Sequence, residues 1–249
     1  MPPVLPEHYR RIYELLEVSI SRFDCGRKCA PLNGGEPVCC STQNAVPVVH
    51  KAEYKELQRR TDLWHDFKAY DSATRKIVKD LHKSCAAVEC KGVAFCERDN
   101  RSLACRAFPF FPYMSREGKF IGLAFYWDFE DRCWVMSNLQ IVDRVFVEEF
   151  VKAYEYLFTV DPREYETFVE YSATMRRVFS RKRRPIPLVG RDGGYLKVLP
   201  HGRGIKPAKA EDFKKSAPFN SERNYARAVR DAGGVPSAAG LVAELGGAP

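Results

Sequence analysis

Cysteine is the residue through which this chain can do chemistry, and eight of its nine cysteines fall in two short stretches. The first holds Cys25, Cys29 and the doublet Cys39-Cys40; the second holds Cys85, Cys90, Cys96 and Cys105. Thiolates at short spacing on turn-forming backbone are what a soft or borderline metal requires, because a tight turn lets neighbouring sulfurs converge. Zinc in a closed site takes four ligands, and iron–sulfur clusters are usually held by four thiolates. The donors that spacing singles out are Cys25, Cys29, Cys39, Cys40, Cys90, Cys96 and Cys105. That is more than one mononuclear site uses, so two sites, one polynuclear site, or a site with spare thiols all stay open. Adjacent side chains diverge in most backbone conformations, so the doublet suits two neighbouring sites or a multinuclear centre better than a single ion. Arg27, Lys28, Lys91, Arg98, Arg101 and Arg106 flank the thiols. Cations there would lower thiol pKa and offset thiolate charge, although the same residues also read as a solvated surface.

The other candidates are weaker. Cys85 follows an expected helix and reads equally as an extra ligand or a buried apolar thiol. Cys133, beside Trp134 in an expected strand, reads as a packed core cysteine outside the site. None of His8, His50, His65, His82 and His201 stands at zinc-protease or zinc-finger spacing. His50, close after the doublet, is the histidine to test as a ligand, and His82 comes next.

The background composition fits this chemistry. A chain of 249 residues that is 45% hydrophobic can bury a core without disulfides. The first residues carry no apolar stretch of signal-peptide type, and no later stretch is long enough for a bilayer. The expectation is therefore no membrane association and a reducing cytoplasm, where clustered cysteines serve as metal or redox groups rather than cross-links. The net charge of +8 is concentrated between Arg181 and Lys215, so the basicity belongs to the C-terminal part.

Elements that would position the thiols can be read from periodicity. Helical spacing predicts helices over about 7–22, 51–60 and 72–82, the last with Ile77, Val78 and Leu81 facing inward. After Cys90 the texture turns to β: 92–97, 103–113, 120–129 and 133–138 read as strands, with Pro109 and Pro112 making the second an edge or a kink. Helices should follow over 141–158 and from Asp161-Pro162 to about Phe179. The fold class is thus α+β: a small cysteine-rich metal-binding core with a short antiparallel sheet and flanking helices. Residues 1–180 form the cysteine-cluster metal-binding domain in this reading. Residues 181–249 form a basic, Pro/Gly-rich tail, mostly disordered, with short helical pieces over 221–231 and 241–245.

The cysteine pattern resembles the YkgJ-like cysteine-cluster family. Its signature is CxxCxxCC followed by downstream cysteines that end in a Cys-Arg-x-aromatic-Pro motif. Cys105-Arg106-Ala107-Phe108-Pro109 matches that close in full, Cys96 and Arg101 stand about where its preceding cysteine and arginine fall, and Cys25, Cys29 and Cys39-Cys40 resemble the opening. Residues 48–54 resemble the start of the helix that follows in the family. The chain departs in having three residues between Cys25 and Cys29, a long insert before the doublet, and Ser102 where the family usually has proline. The likeness covers about residues 20–135. It implies a zinc- or iron-chelating protein, with zinc, iron or an iron–sulfur cluster as cofactor.

Three functions are compatible with these residues. The first is a cytoplasmic metal-binding protein of structural, metal-handling or redox-sensing role. The second is an iron–sulfur-dependent protein-modifying enzyme, since a related cluster occurs in flagellin lysine N-methylases. The third is a nucleic-acid binder whose basic tail meets the partner, a protein partner being the other option for that tail, while the metal is structural. No P-loop, Rossmann glycine pattern or nucleophile elbow is present to name a substrate.

Overall fold

Tyr9, Ile12 and Tyr13, spaced for one helix face, lie buried on α1 (Pro6–Leu15) in the computed structural model, which describes residues 3–236. The helix stops short of the expected residue 22. Glu149 accepts hydrogen bonds from the backbone N–H groups of Glu17 (2.8 Å) and Val18 (2.9 Å), fixing the chain where the helix would have continued. A single helical turn, α2 (Gly26–Cys29), follows, and then β1 (Val48–His50) runs straight into α3 (Lys51–Arg60). Next come β2 (Trp64–Asp66), α4 (Ser72–Asp80) and β3 (Cys85–Cys90). Ile77 and Val78 on α4 are 42% and 40% exposed, contrary to the inward face expected of them. The strands β1, β3 and β2 form an antiparallel three-stranded sheet in that order, with His50 opposite Cys85 and Trp64 opposite Cys90.

The expected strand over 92–97 is instead a 3-10 turn at Val93–Phe95, entered through Gly92 at φ +99°. The start of the next expected strand is a helix, α5 (Leu103–Ala107). The side chain of Ser102 accepts from the Cys105 N–H (3.3 Å) and so caps α5, a local signal that outweighs the strand-like composition. The strands β4 (Phe110–Met114) and β5 (Phe120–Phe125) then pair through the turn at 115–119. Residues Trp134–Ser137, expected as strand, form a 3-10 helix.

Two long helices cover the sheet, α6 (Arg144–Val160) and α7 (Pro162–Arg181). Asp161 caps α7 through the Arg163 N–H (3.2 Å), with Pro162 in the first helical position. As Pro112 within it requires, β4 is an edge strand, and α7 satisfies part of that edge. The Ser172 hydroxyl accepts from Met114 N–H (2.9 Å), and Arg176 donates to the Met114 carbonyl (2.6 Å).

The segment expected as a disordered tail is folded through residue 236. It supplies β6 (Ile186–Gly190), β7 (Tyr195–Val198), β8 (Ile205–Ala208) and α8 (Glu222–Asp231). The five-stranded antiparallel sheet has the order β4-β5-β6-β7-β8, so it runs unbroken across the boundary expected at residue 180. The short apolar run Ile186, Leu188 and Val189 is buried at the centre of this sheet, while its basic neighbours stay largely at the surface. Averaged composition hid that run. Gly122 is required at the β5–β6 contact, since a Cβ there would strike the Val189 carbonyl. Ser221 caps α8 as its sequence indicates, and the Tyr225 hydroxyl donates to the Lys28 carbonyl (2.9 Å), tying α8 to the first cysteine stretch. The helical piece at 241–245 lies outside the described residues.

The molecule is thus mixed helix and antiparallel sheet, as an α+β reading requires. Among the described residues no helix is long and apolar enough to cross a membrane. Leu188 is fully buried. Leu188→Ala should therefore lower stability by about 2–5 kcal/mol in urea denaturation, whereas a loosely attached tail would leave the midpoint unmoved.

Candidate metal centre

The first cysteine stretch gains its geometry from one helical turn. Asp24 accepts from the Gly26 N–H (3.0 Å) and starts α2. Cys25 and Cys29, at its two ends, are four residues apart and so share a face. This is what the three-residue spacing achieves. Cys29 is buried, with its Sγ 3.6 Å from the Gly26 carbonyl. Cys39 and Cys40 occupy a 3-10 turn (Val38–Cys40) with their sulfurs 4.0 Å apart.

The second stretch is fastened from behind. Cys90 ends β3, Cys96 follows the turn at Val93–Phe95, and Cys105 is on α5. The Arg101 Nε lies 3.1 Å from Cys96 Sγ, and its charge also acts on Cys105, Cys40 and Cys25. Arg106, grouped by sequence with the cations around the thiols, serves backbone instead. Its guanidinium donates to the carbonyls of Arg101 (3.0 Å), Leu16 (2.7 Å) and Asp99 (2.6 Å). Lys91 likewise turns to Asp62 (2.6 Å).

All nine cysteines are free, and eight lie close enough to perturb one another's ionisation. Cys133 adjoins Cys25, Cys29 and Cys39; Cys90 adjoins Cys40, Cys96 and Cys105; and Cys29 also feels Cys40, so the two groups run into each other at the doublet. Burial pushes Cys25 and Cys105 up to about 12, and it raises Cys29, Cys90 and Cys133 as well. Within the doublet, the hydrogen bond to Cys40 raises Cys39, while the same bond, with Arg101, lowers Cys40. Cys40 is thus the thiol of the group whose ionisation is favoured, its pKa lowered to about 7. No set of three or more His, Cys, Asp or Glu side chains among the described residues is drawn together tightly enough to hold a metal ion.

The remaining candidates are elsewhere. Cys85 faces Ser84 (3.8 Å) and the charges of Glu164, Arg163 and Asp161. His50 caps α3, its Nδ1 accepting from the Ala52 N–H (3.0 Å), and its Nε2 is 4.0 Å from Asp161. His82 lies 2.7 Å from the Ser84 hydroxyl. Sequence reading missed the position of Cys133, which is buried as expected yet adjoins the thiol group. No spacing signals it. Its loop is placed by Arg132, which donates to the Asn44 side chain (3.1 Å) just after the doublet.

A pocket of about 290 Å³ opens beside Cys39 and Cys105, walled by Pro47, Phe108, Tyr126 and Phe129. No protein-family model, curated protein or solved structure matches the chain.

Glu53 supports this site from the core. It is buried, and it accepts from the Tyr13 hydroxyl (2.8 Å) and from the Leu103 N–H (2.6 Å) at the start of α5. Burial raises its pKa from 4.5 to about 7. A raised folded-state pKa stabilises fully below the unfolded value and loses that stabilisation as pH climbs through the folded one. Stability should therefore fall between pH 4.5 and about 7, by up to about 3 kcal/mol from this group. Glu164, also raised by burial to about 7, acts in the same direction. Urea midpoints across that range should show a smaller decline in Glu53→Gln than in the parent protein.

Proposed function

We propose that this protein binds metal through its cysteines at two adjoining thiolate centres. One centre takes Cys25, Cys29, Cys39 and Cys133, and the other takes Cys40, Cys90, Cys96 and Cys105. The observation that supports this reading is that eight free thiols, from both cysteine stretches and from the loop of Cys133, lie within electrostatic range of one another around the doublet, enough sulfurs for two centres of four. Four sulfurs per set is the number that tetrahedral zinc or an iron–sulfur cluster takes. The donor set fits such a group chemically. Buried thiols stay protonated on their own, and a bound cation replaces those protons, so loading releases protons and draws the sulfurs inward. Arg101 offsets part of the negative charge this leaves.

The pocket bordered by Cys39 and Cys105 favours a second reading, in which an iron–sulfur centre serves a protein-modifying enzyme. It would give one flat apolar side chain or small molecule access to the sulfurs. Turnover lost in a pocket-filling Ala104→Phe variant with full metal content would distinguish that role from simple metal binding.

Protein purified without oxygen should carry stoichiometric metal, with acid-labile sulfide and visible absorbance if iron–sulfur and neither if zinc. Cys25→Ser and Cys105→Ser should each remove about half of it, a Cys133→Ser variant should act like Cys25→Ser, and Cys85→Ser should retain all. Metal-free protein that stays metal-free after anaerobic reconstitution would overturn the assignment.

A further inference from the structure

A second concave site shares no lining residue with the pocket beside the cysteines. It is a cavity of about 210 Å³ between the β4–β5 turn, the C-terminal half of α7 and the loop joining β7 to β8. Its lining is rich in hydrogen-bond donors. Arg184 is matched by Glu130, which takes two of its N–H groups at 3.0 and 3.1 Å. Arg176 gives one nitrogen to the Met114 carbonyl and to the Tyr113 hydroxyl (3.3 Å). Its other donors are not engaged among the described residues. Arg116 has neither a hydrogen bond nor an ion pair among the described residues, and the only unmatched carboxylate of the lining, Glu117, is held by the Ser115 hydroxyl (2.8 Å).

The hydroxyls point the same way. Tyr113 is 1% exposed; its oxygen accepts from Arg176, and its own O–H has no acceptor among the described residues. Burial keeps that phenol protonated. The Ser180 oxygen accepts from the His201 N–H (3.1 Å), which leaves the Ser180 O–H equally unused. That contact depends on a tight loop in which His201, Gly202 and Gly204 all have positive φ, at +58°, +74° and +94°. A left-handed backbone at a non-glycine residue carries strain and needs surrounding structure to hold it. Gly202 passes close beneath Arg116, since a Cβ there would stand 3.0 Å from its guanidinium.

Arg116, the unused donors of Arg176, a buried phenol and a serine hydroxyl therefore meet at one cavity whose single lining carboxylate is Glu117, in charge range of Arg116. Donors without acceptors in a confined, positively charged cleft are complementary to an oxyanion, and a planar guanidinium matches phosphate or carboxylate oxygens two at a time. We propose that this cavity binds the phosphate or carboxylate group of a small molecule, held by Arg116 and Arg176 with Tyr113 and Ser180 donating from the floor. The site is independent of the thiol centres and of any metal they hold.

Isothermal titration at constant ionic strength, with inorganic phosphate in one arm and succinate in the other, tests this. Saturable one-to-one binding is expected in at least one arm, and the stronger arm identifies the oxyanion. Arg116 is exposed and makes no contact that the fold needs, so Arg116→Ala should fold normally and weaken binding about tenfold or more, the loss of one charge-assisted pair. Tyr113→Phe, which removes only the hydroxyl, should weaken it several-fold. Arg177→Ala, on the same helix but outside the cavity, should leave it unchanged. No saturable binding in either arm would overturn the proposal. Equal weakening by Arg116→Ala and Arg177→Ala would also overturn it, because it would mean diffuse surface charge.

Discussion

The Arg106 guanidinium reaches the carbonyls of Leu16, Asp99 and Arg101 while lying 4.6 Å over the Tyr13 ring. Those groups belong to the end of α1 and to the approach to α5. One planar fork thus fixes where the second cysteine stretch sits relative to the N-terminal helix. The same joint is closed from the inside by Glu53, which takes the Tyr13 hydroxyl and the first N–H of α5. Lysine could not replace Arg106, because a single ammonium lacks the five-donor fork that reaches three carbonyls while stacking on a ring. Cys105 is placed by these contacts together with the Ser102 cap on its own N–H.

Around that joint the sulfurs are held at a cost. Burial opposes ionisation of these thiols, and the doublet resolves the conflict unequally, its shared hydrogen bond raising the Cys39 pKa and lowering that of Cys40. A protein that only needed packing would fill such space with aliphatic side chains, which carry no ionisation penalty. Eight sulfurs within electrostatic range of one another make a chemically committed region, and Arg101 supplies a counter-charge to several of them.

How far this could be read from residues depended on whether the signal was local. Asp161-Pro162 opening α7, Ser221 capping α8, the bounds of α3 and the edge position forced by Pro112 are all written within a few residues. The thiols marked by spacing were legible for the same reason. The helix α5 was not, because its apolar run looks like a strand and its stability comes from the Ser102 cap and from Glu53, 50 positions earlier. The three strands after Ser180 were hidden by the charged segments that precede and join them. Cys133 was legible as a core residue, but its neighbours are set by a loop anchored to Asn44, 88 positions away. The end of α1 depended on Glu149, which no N-terminal pattern could foretell.

The bond from Tyr225 to the Lys28 carbonyl spans 197 positions of chain. During synthesis, α2 leaves the ribosome long before the helix that clamps it exists. Cys25 and Cys29 are therefore made early and enclosed late, in an interval set by translation speed rather than by any equilibrium. Whatever these sulfurs meet, they first meet it as an open turn, before α8 has been made.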